Sequence, residues 1–97
     1  MKGEGTSAAE LRAIFNAHLL PRIKNGELVE VVISSCPASP HSNQPDGTLS
    51  ELVEYQENGE RVAIVHRFVT KDGEIGGSGR PDPKAIRFGR EWLFLDD

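Results

Sequence analysis

The chain predicts an α+β domain in which one N-terminal amphipathic helix packs on one face of a four- to five-stranded antiparallel sheet. Three observations carry this. A capped, apolar-striped segment opens the sequence, an Asn-Gly turn joins two strand-like runs near its middle, and a short hairpin closes it. The 97 residues, 37% hydrophobic and 27% charged, are those of one ordinary globular domain. A chain of this size buries only about 60–65% of its unfolded surface, so residues 1–97 hold one core. Residues 1–97 are not expected to hold a separate cofactor domain.

Residues 1–6, containing glycine and charge, are expected to fray. Ser7 and Glu10 then form a capping box, each side chain satisfying the other's backbone N–H. Leu11, Ile14, Phe15, Leu19 and Ile23 recur at helical spacing. Pro21 lacks an N–H, so the helix from Ala8 is expected to end or kink near Leu20, or a turn later at Asn25-Gly26. His18 falls on the apolar side of this stripe.

Leu28–Ile33 is rich in β-branched residues and reads as a strand. Residues 34–48 hold Pro37, Pro40, Pro45 and Gly47 among serines and asparagine, and read as one long surface loop. Leu49–Gln56 and Arg61–Thr70 flank Asn58-Gly59, the preferred type I′ hairpin turn. Pairing outward from it without interruption sets Tyr55 against Val62, Val53 against Ile64, Glu51 against His66 and Leu49 against Phe68. Ile86–Leu95 forms the closing hairpin around Gly89-Arg90, with Trp92 and Phe94 at the core edge. The expected core is Leu11, Ile14, Phe15, Leu19, Val29, Val31, Val53, Val62, Ile64 and Phe68.

No apolar run approaches the ~18–20 residues needed to cross a bilayer, and Met1-Lys2-Gly3-Glu4 opens no hydrophobic leader. Cys36 is the single cysteine. The expectation is a soluble, cytoplasmic protein with no membrane role and no cofactor. The spacing of His18, His41 and His66 matches no metal-ligand motif, so no metal site is expected. The net charge of −4 conceals a division. Residues 25–60 carry seven acidic side chains and no lysine or arginine, whereas residues 61–90 carry seven basic against three acidic. Acidic and basic strands side by side would neutralise each other. Nucleic acid remains an open partner that the net charge does not favour.

Two groups of residues could carry chemistry. Between the hairpins, the run from Gly73 to Lys84 holds Gly76, Gly77, Ser78 and Gly79, followed by Arg80 and Lys84. Glycines let backbone N–H groups approach a ligand, and the two cations suit phosphate or carboxylate. The run lacks the Gly-Lys-Ser/Thr ending of a phosphate-binding P-loop and any surrounding β-α-β unit. The second group is His66 facing Glu51, where a carboxylate can orient an imidazole as a general base. The leading expectation is a small binding or interaction module that contacts an anionic ligand or a protein partner through the glycine-rich loop. The alternative is a metal-independent ribonuclease in which His66 and Glu51 act with Arg80 and Lys84. The order of elements, a helix followed by antiparallel strands, resembles that of small bacterial toxin ribonucleases, without a shared motif. Uncovered sheet edges also leave a homodimer open.

Overall fold

Ser7 starts the helix as expected, its hydroxyl accepting from the Glu10 N–H at 3.2 Å. A computed structural model describes residues 3–76 and 81–96. Helix α1 (Ala8–Ile14) runs into a π-helical turn (Phe15–Leu19) and then into α2 (Leu20–Lys24), so the helix passes Pro21 and stops at Asn25-Gly26. Gly26 has a φ of 72°, the left-handed stop that favours glycine. In the π turn the Leu20 N–H bonds to the Phe15 carbonyl, five residues back. A π turn adds one residue to the helical repeat, and the buried stripe therefore steps from Leu11 and Phe15 to Leu19 and Leu20. His18, expected on the apolar side, is exposed, its ring 5.1 Å from that of Phe88.

The sheet has six strands: β1 (Gly3–Thr6), β2 (Val29–Pro37), β3 (Leu49–Glu57), β4 (Glu60–Val69), β5 (Asp82–Phe88) and β6 (Glu91–Leu95). They lie in the order β1-β6-β5-β4-β3-β2. The α+β class and the helix-on-sheet layering are as the sequence predicts, but the sheet is mixed. Residues 3–6, expected to fray, pair in parallel with β6, Gly3 to Trp92 through Thr6 to Leu95. The loop expected over 34–48 is also shorter. Ser34–Pro37 continues β2 against Leu49–Leu52, because at an outer strand a proline gives up no inward ladder bond. The remaining connection carries one 3-10 turn at Pro40–Ser42.

The helix covers one face of the sheet, with α1 packed on β5 and β6. Leu11, Phe15, Leu19 and Leu20 meet Val53, Tyr55, Val62, Ala63, Val65 and Ile86 in one core, with Ile14, Ile23, Leu93 and Leu95 packed around it. Val29, expected inside, is 59% exposed on the outer strand. No helix among the described residues is long and apolar enough to cross a membrane.

The Asn58-Gly59 turn forms as predicted, with φ of 52° and 82° and Glu57 opposite Glu60. The pairing beyond it does not. Gln56 pairs with Arg61, yet Tyr55 pairs with Ala63, so Val62 is an extra residue, a β-bulge. Val62 and Ala63 are both buried. Every later pair shifts by one: Val53 meets Val65, Glu51 meets Arg67 and Leu49 meets Val69. Because side chains alternate with a period of two, this slip exchanges the faces of residues 64–69 relative to the expected register.

The one-residue step in the helix makes a measurable contrast. Phe15→Ala is expected to destabilise the fold by about 3–5 kcal/mol. His18→Ala, on an exposed surface, is expected to change stability by no more than about 0.5 kcal/mol. Urea midpoints of the two variants would show comparable losses if the stripe ran through His18.

Candidate functional site on the uncovered sheet face

The bulge at Val62 turns Arg67 to the helix side and His66 to the opposite side. Arg67 donates from Nε to Glu51 and from Nη1 to Glu30, both at 2.9 Å, and the Tyr55 hydroxyl donates to Glu30 at 2.8 Å. The Arg67 and Glu51 side chains are only 14% and 12% exposed. Burial works against the Arg67 charge, but the hydrogen bonds and charges of Glu51 and Glu30 outweigh it and hold the guanidinium protonated beyond its ordinary range. Burial and the Glu30 hydrogen bond push the Tyr55 hydroxyl upward as well. These groups fill the part of the helix-side face nearest β2, away from where α1 packs on β5 and β6. The predicted Glu51–His66 pair is therefore not formed: the two residues face opposite sides of the sheet, and Glu51 belongs to Arg67.

His66 instead opens onto the face the helix leaves uncovered. Its Nε2 shares a 2.7 Å hydrogen bond with Ser50 Oγ, and its ring stands edge-on to Phe68 at 4.7 Å. Burial and the nearby positive charge of Lys84 lower its pKa, opposed by the charge of Asp82. Of the residues predicted to act with His66, Lys84 influences the ring through its charge, and Glu51 pairs with Arg67. Asp82 is the cross-strand neighbour of His66, yet its carboxylate lies 3.5 Å from the Arg12 guanidinium. A hydroxyl beside a neutral imidazole supplies two parts of a nucleophile–base pair. The carboxylate that would orient such an imidazole is engaged elsewhere.

Gly76 lies where β4 is followed by a turn that folds back on it. Its N–H donates to the Phe68 carbonyl at 2.8 Å, and Val69 bridges Ile75. A Cβ at Gly76 would stand 2.7 Å from Gln44 Oε1 and 3.3 Å from Phe68 Cβ, so this glycine serves close packing. Gly77, Ser78, Gly79 and Arg80, the other predicted anion-binding residues, lie outside the described residues.

Next to His66 along the same face, Ile64 lines a hollow of about 350 Å³ with Arg61, Ala85, Trp92 and Phe94. The Trp92 and Phe94 rings lie 6.2 Å apart and 22° from parallel. They sit on this face because Leu93 and Leu95, between and after them, belong to the helix-side core. Arg61 at the rim donates to Glu54, whose carboxyl is held below its usual range first by Gln56 and then by Arg61. Lys84, exposed beside Ala85, makes no ion pair among the described residues. Sequence reasoning missed Ser50 and assigned Trp92 and Phe94 to the core edge; the alternation Trp92-Leu93-Phe94-Leu95 was the available signal that the aromatic rings share one face. Among the described residues no group of three or more His, Cys, Asp or Glu side chains could hold a metal ion. Comparison with known families, curated proteins and solved structures finds no match.

Two measurements test this geometry. Arg67→Ala leaves Glu51 buried without its partner and is expected to cost about 3–5 kcal/mol. The double variant Arg67→Met, Glu51→Leu should recover most of that loss in urea unfolding, because it removes both buried charges. The second concerns pH. A lowered His66 pKa means the unfolded chain takes up a proton first as pH falls. The His66 contribution is thus fully present above the unfolded value of about 6.5 and is lost as pH falls through the lower folded value. Subtracting the profile of His66→Gln from that of the wild type, measured from about pH 8 to pH 5, isolates this decline. A difference that instead grows on acidification would contradict the desolvated placement of the ring.

Proposed function

We propose that this chain is a small binding module whose ligand carries an apolar, ring-containing body and an anionic group. The observation that supports it most is the hollow beneath Trp92 and Phe94 in the middle of the helix-free face. Its volume of about 350 Å³ falls within the range of about 300–1,000 Å³ usual for small-ligand sites. Ile64, Ala85 and the two rings offer the apolar contact. Lys84, next to Ala85 in β5, and the Ser50–His66 pair, neighbours of the lining residues, offer a cation and hydrogen-bonding groups. This keeps Lys84 in the anion-contacting role expected of the glycine-rich segment and moves the body of the ligand onto the sheet. The ribonuclease alternative depends on Glu51 orienting His66, and the register separates them.

The single tryptophan makes the test direct. Titration with 8-anilinonaphthalene-1-sulfonate, an aromatic anion, is expected to quench Trp92 emission saturably. Phe94→Ala, at a half-exposed position, should weaken binding several-fold without lowering the melting temperature. Lys84→Gln should weaken the sulfonate probe but leave the uncharged N-phenyl-1-naphthylamine unaffected. Non-saturable quenching, or identical binding by Phe94→Ala, would overturn the reading.

A further inference from the structure

We infer that the outer edge of β2 is a self-association surface, on which a second copy of this chain adds its own β2 antiparallel about a two-fold axis passing between Val32 and Ile33. Among the described residues no strand lies against this edge, and it runs for nine residues, Val29–Pro37. Long, uncovered edges are templates for another strand, and proteins guard them with lysine, inward charge or proline. Here Glu30 is the only charged residue in the strand, and its carboxylate is taken up by Tyr55 and Arg67. Pro37 stands at the very end. Val29, Val32 and Ile33 are 59%, 45% and 47% exposed, three of the six exposed large hydrophobic residues described.

The register follows from the strand's own irregularity. Val32 pairs with Val53 and Ser34 with Leu52, so Ile33 is an extra residue. Side chains on opposite sides of it consequently share a face only at odd separations. A two-fold between Val32 and Ile33 sets Val32 of one copy against Ile33 of the other, Val31 against Ser34, Glu30 against Ser35 and Val29 against Cys36. The three pairs flanking the central one each match in face. The carboxylate meets a hydroxyl rather than a second carboxylate, and Pro37 falls outside the ladder. Pairing of β2 with its own copy closes after two subunits, whereas pairing with the opposite edge, the four-residue β1, would be open-ended.

Light scattering coupled to size exclusion is expected to give twice the 10.6 kDa chain mass at concentrations of tens of micromolar and above. Ile33→Glu, a change at an exposed position, should halve that mass with the circular dichroism unchanged. The register is tested with cysteines, since Cys36 is the only one present. Val29→Cys should give a covalent dimer on oxidation with copper phenanthroline. Val29→Cys combined with Cys36→Ser should not, because the two copies of residue 29 would lie about 23 Å apart at ~3.3 Å per residue. A wild-type chain that stays monomeric at hundreds of micromolar overturns the inference and leaves the edge to a strand of another protein. A dimer untouched by Ile33→Glu, or one whose Val29→Cys form does not cross-link, overturns it equally.

Discussion

What each face of this sheet presents is decided by one extra residue, Val62. Without the bulge, Arg67 would stand on the outer face and His66 would stand on the helix side with Glu51. With it, the helix side receives Ala63 and Val65, which join Phe15 in the core, and Arg67, which meets two carboxylates. The outer side receives Ile64, His66 and Phe68. A bulge costs one ladder position and bends the strand. The gain is a dry core and a buried arginine whose charge is compensated, while an unpaired Glu51 at the same depth would be strongly destabilising. The candidate ligand face is the other consequence of the same choice.

The helix makes a matching adjustment. Pro21 cannot donate a backbone bond and would crowd the Ala17 carbonyl in a regular α-helix. The π turn over Phe15–Leu19 absorbs that defect by lengthening the repeat locally, so the chain passes the proline and continues to Lys24. The extra residue also brings Leu19 and Leu20 into the core together and moves His18 out. The helix and β4 thus each contain one inserted residue, and the buried stripe and the buried strand positions remain in contact because each element is adjusted where its own pattern is interrupted.

This explains what could be read from the sequence and what could not. The Ser7 cap, the Leu11–Phe15 stripe, the Asn58-Gly59 turn and the α+β class all rest on local chemistry, which the sequence states directly. The register of β4 does not. Val62-Ala63-Ile64-Val65 is a continuous apolar run, and such a run fits either face equally, so periodicity carries no information about which residue is extra. The deciding contacts are Arg67 with Glu51 and Glu30, partners 16 and 37 residues away. A cross-strand charge comparison could have preferred Arg67 over His66 opposite Glu51. Likewise β1 was invisible, since Gly3-Glu4-Gly5-Thr6 has little strand character of its own and is held by pairing with β6.

The division of charge along the chain finds its physical meaning in the same pairings. The acidic segment and the basic segment lie side by side: Glu51 with Arg67, Glu54 with Arg61, Glu57 with Arg22 and Arg87, Glu60 with Arg87. An arginine committed to a carboxylate offers little net field to an incoming anion. Arg61, although it borders the hollow, is committed to Glu54 in this way, so its presence at the rim does not make the rim basic. Lys84 differs in kind. It stands on the bulged part of β5, beside Ala85 and close enough to act on His66, with no acidic partner among the described residues. The charge segregation is therefore chiefly a device for joining strands, and the anionic preference proposed for this face rests on one lysine and the neutral Ser50–His66 pair rather than on the seven basic residues that the sequence places in its second half.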